Sequence, residues 1–291
     1  MLWFSILLGA FLISTAAASA ETTIPFRYSH GEILVDARIG NSGPYTFILD
    51  TGTTSSTISA ELARRLNLKW RFEDVTVKTV DGRRIDVVPV FLSDVAIGEV
   101  RLPRLDAVAI DVSPLRQSIG LDVEGILGSN FFQHRIVQID YPCRLITVLP
   151  HAPDDQQAVH FVQSGDGYIV SQDVWLGDRH ASTMFDTGNS GNIIVTAKGL
   201  ADLHLERNAR IGSSVISYGS AGPVTETEGT LYDLRIGTTP VPYASARFSP
   251  TSRDPFDFNV GNGVLDRFVA TFDYAGGTLT LDPPHRCATL R

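Results

Sequence analysis

Beyond residue 20 the chain is built of short apolar runs, each ended by a turn marked with Gly, Asp or Pro. Val75, Val77 and Val80 alternate with polar neighbours, Asp81-Gly82 follows, and Ile85-Asp86-Val87-Val88 resumes the apolar pattern. Two such runs around an Asp-Gly pair predict a β-hairpin. Val215-Ile216-Ser217-Tyr218, a break over residues 219–222 and Val224-Thr225-Glu226-Thr227 predict a second hairpin. Helical spacing is confined to two short amphipathic segments, residues 61–68 and 198–205, with Ser59 and Thr196 placed to cap them. The expected class is therefore mainly β. A polar, Pro-marked stretch over residues 150–157 reads as a linker, dividing the chain into lobes 21–150 and 151–291.

The pattern occurs twice. Gly31 begins an apolar run that ends, after a turn at residues 41–44, in Tyr45-Thr46-Phe47-Ile48-Leu49-Asp50-Thr51-Gly52. Gly167 begins another that ends, after a turn at residues 177–179, in Ser182-Thr183-Met184-Phe185-Asp186-Thr187-Gly188. Each is followed by a candidate cap and short helix, then by a glycine segment (Leu127-Gly128, Val260-Gly261) and by an Asp-Tyr pair (Asp140-Tyr141, Asp273-Tyr274). Order and spacing are kept over the whole half. Shared composition does not produce that, so two copies of one unit are expected.

Composition narrows the setting. Residues 1–20 contain no Asp, Glu, Lys or Arg, and an apolar run leads to Ala18-Ser19-Ala20, the small-residue form of a signal cleavage site. The expectation is a secreted or periplasmic protein; an uncleaved anchor is the alternative, and with cleavage no stable membrane insertion remains. The net charge of −8 argues against nucleic acid as a partner. Cys143 and Cys287 are the two cysteines. A single disulfide and two separate buried thiols both fit their spacing, and an oxidising compartment favours the disulfide. The seven histidines form no ligand-spaced cluster, so neither a metal nor another cofactor is expected.

The chemistry lies in the repeated turns. Ile48-Leu49 and Met184-Phe185 should be buried, which leaves Asp50 and Asp186 at the edge of a core, where a carboxylate needs donors or a neutralising partner. If the copies face each other about a pseudo-twofold, the two carboxyls meet, and like charges that close share one proton. One can then act as base on a water while the other polarises a carbonyl. A capping pair of turn aspartates is the bland alternative. A lone Asp-Thr-Gly has a chance count of about 0.1 in a chain of this length at average composition; two in register do not.

Residues 48–53 and 184–189 resemble the two active-site turns of the aspartic peptidases, and Gly125-Ile126-Leu127-Gly128 resembles the segment that crosses beneath such a turn. The resemblance spans residues 24–282 in both halves. It implies a two-lobed pepsin-like fold made of duplicated retropepsin-like β-barrel lobes, with Asp50 and Asp186 as the dyad. It further implies that Thr51 and Thr187 brace the turns, that Gly52 and Gly188 admit close backbone approach, and that Thr53 supports the first carboxylate. The implied function is an exported endopeptidase, a monomer acting on polypeptide substrate. Asp81, Gly82 and Tyr218 would be flap residues over that substrate.

Three positions depart from the family pattern. Asn189 stands where a second Ser or Thr is usual and is expected to donate to the carboxylate in its place, altering its acidity. Asn259 replaces an apolar residue in the second crossing segment, and the first hairpin lacks a tyrosine. On these departures rests the competing reading, a non-catalytic peptide-binding protein that keeps the cleft. They also suggest that Asp50 has the fuller family environment of the two.

Overall fold

The structure is a computed structural model that describes residues 21–68, 75–78, 84–153, 157–164, 168–219 and 222–287. Residues 1–20, Asp81, Gly82 and Trp70 lie outside the described residues, as do residues 154–156 of the expected linker. Among the described residues no helix is long and apolar enough to cross a membrane.

Two barrels of alternating strands account for most of the chain. In the first lobe Glu32–Ile39 pairs with Ser42–Leu49, which runs parallel to Gly125–Leu127. Ser56–Ser59, Val100–Ile110, Arg84–Ile97 and Val75–Lys78 follow in order. Arg84–Ile97 returns to Glu32–Ile39 (Ala37 opposite Ile97) and closes the sheet, which removes a free edge. The second lobe repeats the plan. Thr183–Phe185 runs parallel to Phe258–Val260, and Gly222–Ile236 closes on Val174–Leu176. Inward positions along these strands are the apolar ones: Ile33, Val35 and Ala37 are buried while Asp36 and Arg38 are exposed. The expected hairpins are present, longer than the sequence pattern suggested, with Tyr218 on the second of them.

A third sheet joins the lobes. Its strands run Thr22–Pro25, Leu145–Leu149, Ile136–Asp140, Val269–Asp273, Thr278–Asp282 and Val159–Gln163, half of them from each copy. At its centre Gln138 lies opposite Thr271, the same position of the repeat in both halves, and its Nε2 donates to the threonine hydroxyl at 3.1 Å. The pseudo-twofold therefore passes between these two residues. Phe132 of the first lobe stacks on Tyr274 of the second at 5.3 Å and meets Phe272 edge-on at 6.1 Å. One core thus runs beneath both barrels.

The capped helices are there, two residues shorter than expected, at Ala60–Arg65 and Ala197–Asp202. The Ser59 hydroxyl accepts from Leu62 N at 3.0 Å and the Thr196 hydroxyl from Gly199 N at 3.1 Å. Ser113–Ile119 is a helix that the pattern reading missed. Its signals were Pro114 in the first turn and Gly120 as a left-handed C-cap. Asp140 and Asp273 are structural: each accepts from backbone N–H groups of the following turn.

Cys143 and Cys287 form a disulfide across 144 residues, with Cα atoms 5.3 Å apart. It ties the tail to the first-lobe end of the joining sheet. Asp140 and His285 stand beside it, with His285 Nε2 3.1 Å from Asp140 Oδ2; the Cys143 sulfur is committed to the disulfide. Replacing both cysteines by serine is expected to lower unfolding free energy by about 4 kcal/mol, on the chain-entropy account of so long a loop. Urea denaturation of the double variant measures it, and an unchanged midpoint would contradict it.

Candidate active site

Each Asp-Thr-Gly turn follows three buried strand residues, Phe47-Ile48-Leu49 or Thr183-Met184-Phe185, and backbone bonds to the crossing segment fix it there. Asp50 N donates to Leu127 O at 2.9 Å and Asp186 N to Val260 O at 2.8 Å. The threonines point away from solvent toward the opposite lobe. Thr51 Oγ1 donates to Phe185 O (2.8 Å) and accepts from Thr187 N (3.0 Å). Thr187 Oγ1 donates to Leu49 O (2.9 Å) and accepts from Thr51 N (3.0 Å). Both side chains are buried, so all four bonds form in a medium where an unmade one is costly.

This brace brings the aspartates together. A Cβ on Gly52 would lie 2.3 Å from Asp186 Cγ, and one on Gly188 would lie 2.3 Å from Asp50 Cγ. Each glycine is therefore the floor on which the opposite carboxyl rests, and no side chain fits there. Gly52 N donates to Asp50 Oδ1 at 2.7 Å and Gly188 N to Asp186 Oδ1 at 2.9 Å. The two carboxyls are hydrogen-bonded to each other, and burial together with the Asp186 charge pushes Asp50 well above the usual carboxylate range.

The expected asymmetry is present but runs the other way. Asn189 does not donate to Asp186. Its Nδ2 donates to Asn259 Oδ1 at 2.8 Å, and Asn259 Nδ2 donates to Asp186 Oδ2 at 2.7 Å. The two departures from the family pattern thus form one relay, in which an amide on the crossing strand does the work expected of a hydroxyl on the turn. Asn189 Oδ1 in turn accepts from Gly191 N at 2.9 Å. Thr53 contributes its carbonyl, which accepts from Ser129 N at 2.7 Å; among the described residues its hydroxyl makes no bond to Asp50. Asp186 takes side-chain and backbone donors on separate oxygens, whereas Asp50 takes one backbone donor and the bond shared with its partner.

Beneath the turns the copies differ again. Tyr141 donates to Asn262 Oδ1 (2.7 Å), whose Nδ2 donates to Thr187 O (2.6 Å) and Gly31 O (2.7 Å). The counterpart Tyr274 hydroxyl is buried without a hydrogen-bond partner among the described residues. Sequence reasoning overlooked Glu32, a carboxyl buried beside this network; its signal was an acidic residue inside an otherwise apolar strand start. Of the expected flap, Asp81 and Gly82 lie outside the described residues, and Tyr218 stands on the second-lobe hairpin, Ala209–Gly219 with Gly222–Ile236.

Two closed lobes about a pseudo-twofold, each bringing an Asp-Thr-Gly turn to the axis, define a pepsin-like fold. A family model described as aspartyl protease matches residues 35–131, one third of the chain, which includes the first turn and its crossing segment. Among solved structures, the crystal structure of basic 7S globulin from soybean is similar at a TM-score of 0.53 and 9% identity, covering 90% of this chain and 94% of that one. At that identity the likeness is one of fold, and it extends over both lobes. No curated protein matches the chain. The resemblance to the aspartic peptidases read from the two turns is thus borne out by the family match in the first lobe and by the pepsin-like fold of the whole.

Thr187→Val keeps the shape of the brace and removes its donor and acceptor, leaving Thr51 N and Leu49 O unpaired. The expected loss is about 2–4 kcal/mol of stability, measured by chemical denaturation. A loss under about 0.5 kcal/mol would show that the brace does not hold the lobes.

Proposed function

We propose that this protein is an exported aspartic endopeptidase that hydrolyses peptide bonds of polypeptide substrates with water activated between Asp50 and Asp186. The observation that carries the reading is the pair of carboxyls in mutual hydrogen bond on the axis, each resting on the other lobe's glycine. Two donors on separate oxygens suit Asp186 to the charged form, and a single donor suits Asp50 to hold the shared proton. In the first step Asp186 takes a proton from water as its oxygen bonds to the scissile carbonyl carbon, and Asp50 gives its proton to the carbonyl oxygen. The resulting diol collapses when the amide nitrogen is protonated and the C–N bond breaks, which returns one proton to the pair.

The departures that favoured a non-catalytic scaffold weigh less once placed. Asn189 and Asn259 supply a donor to Asp186 rather than removing one. A monomer in an oxidising compartment fits the disulfide and the apolar leader. Because Asp50 holds its proton well above the ordinary range, activity is expected to extend toward neutral pH, with an optimum above pH 3.

A digest of denatured protein across pH 3 to 8 tests this. Wild type should cleave, and Asp50→Asn or Asp186→Asn should each lose roughly 10²–10⁴-fold or more in rate. Cleavage that survives either substitution, or is absent from wild type at every pH, removes the proposal. Asn259→Ala should retain the fold and lose activity by about tenfold or more, since it takes a charge-assisted bond from Asp186.

A further inference from the structure

Glu32 opens the strand Glu32–Ile39, directly after a tight turn in which both His30 and Gly31 have positive φ. The tip of this hairpin leaves its own lobe and packs on the other. A Cβ on Gly31 would meet Ser190 O at 2.4 Å, and Gly31 O accepts from Asn262. Glu32 is consequently carried into the interface beside residues 186–190, only 3% exposed. One of its oxygens is hydrogen-bonded to the Ser190 side chain, and the other, Oε2, has no partner among the described residues. Among the described residues no Lys or Arg faces it. The titratable groups around it are Asp186, Asp50 and Tyr28, and Asp254 faces Asp186 from beyond. The equivalent position of the second lobe is Tyr168, whose ring meets Phe256 edge-on at 6.5 Å. The acid therefore belongs to one side of the dyad only.

A fully buried carboxyl with an unpaired oxygen and anionic neighbours is stable only with its proton on. We propose that Glu32 is a third carboxyl of the active site, held neutral against Asp186, and that it governs how far toward alkaline pH the dyad keeps its shared proton. Its role is positional and electrostatic; the bond-making groups remain Asp50 and Asp186, and the activity half of the claim rests on the peptidase reading. Burial first, and the charge of Asp186 second, raise Glu32 from an ordinary 4.5 to about 8. Below pH 8 it adds no charge to the site. Above that it becomes an anion that makes Asp50 hold its proton more tightly.

The unfolded chain releases this proton near pH 4.5 and the folded chain near 8, so between those values the folded state binds one proton more. Stability then falls as pH rises through that window. Glu32→Gln, which matches the protonated side chain in shape, removes the cost. At pH 4 the variant and wild type should melt together; at pH 8 the variant should melt higher, on the order of 5 °C. In an Asp186→Asn background the gain at pH 8 should shrink, because the neighbouring charge is gone. Equal shifts at pH 4 and 8, or a gain indifferent to Asp186, would overturn the buried-proton claim whether or not the protein cleaves anything. In a cleavage assay carried above pH 8, Glu32→Gln should move the alkaline limb of kcat/KM to lower pH by roughly half a unit or more. An active variant with an unmoved alkaline limb would overturn the control of the dyad. Wild type without cleavage at any pH would instead sink the peptidase reading and leave the melting series to decide the rest.

Discussion

Four hydrogen bonds made by the hydroxyls of Thr51 and Thr187, two between the threonines and two to Phe185 O and Leu49 O, set the geometry on which everything else in this molecule depends. They are made between backbone and hydroxyl at a buried seam, so neither turn can complete its bonding without the other. The brace fixes the separation of the lobes at the one place where two carboxyls must touch. It also explains the glycines, since any side chain at Gly52 or Gly188 would occupy the space of the opposite aspartate. The joining sheet and the Phe132–Tyr274 stack maintain the same axis from below. Both layers are needed because four hydrogen bonds alone do not hold two barrels against loss of orientational freedom.

The repeat was legible in the sequence because its landmarks are local: a strand, a turn, a cap, a glycine crossing. Register within each hairpin followed from the alternation of apolar positions. What the sequence withheld was the partner of each polar side chain. Asn189 and Asn259 read separately as two defects, since nothing in their spacing says that one strand crosses under the other's turn. Thr53 read as a donor by resemblance, yet its hydroxyl makes no bond to Asp50, and the richer environment fell to Asp186. Ser113–Ile119 was missed because none of its residues is buried, so no apolar stripe marked it; only its terminal Pro and Gly did.

Asymmetry is therefore the property that separates this site from its own duplication. The two halves share backbone geometry to within the brace and the crossing strands, but their side-chain supports differ at each level. An amide relay stands against a backbone donor, Asn262 stands against Ser129 as the residue beneath its own lobe's turn, and Glu32 stands against Tyr168. A symmetric dyad would have no reason to place its proton on one member. Here the donors are distributed unequally, which on the proposed peptidase reading assigns the roles of the two carboxyls before substrate arrives.

Three carboxyls in one buried cluster are a liability to the fold, which would be more stable with amides in their place. Such local violations of core chemistry concentrate at working sites, where the surrounding structure over-determines them. The surroundings here are suited to that: closed barrels, a shared aromatic core and a disulfide that limits the unfolded chain. Glu32 is the instructive member, because it is not needed to complete the dyad and, among the described residues, nothing compensates its free oxygen. A residue that only filled space at the start of a strand would be apolar, like Leu34 and Val35 after it. An acid there, one-sided and facing Asp186, fits the proposed role through its proton: held neutral, it leaves the cluster at one negative charge over the pH range in which a peptidase dyad holds one proton and lacks the other.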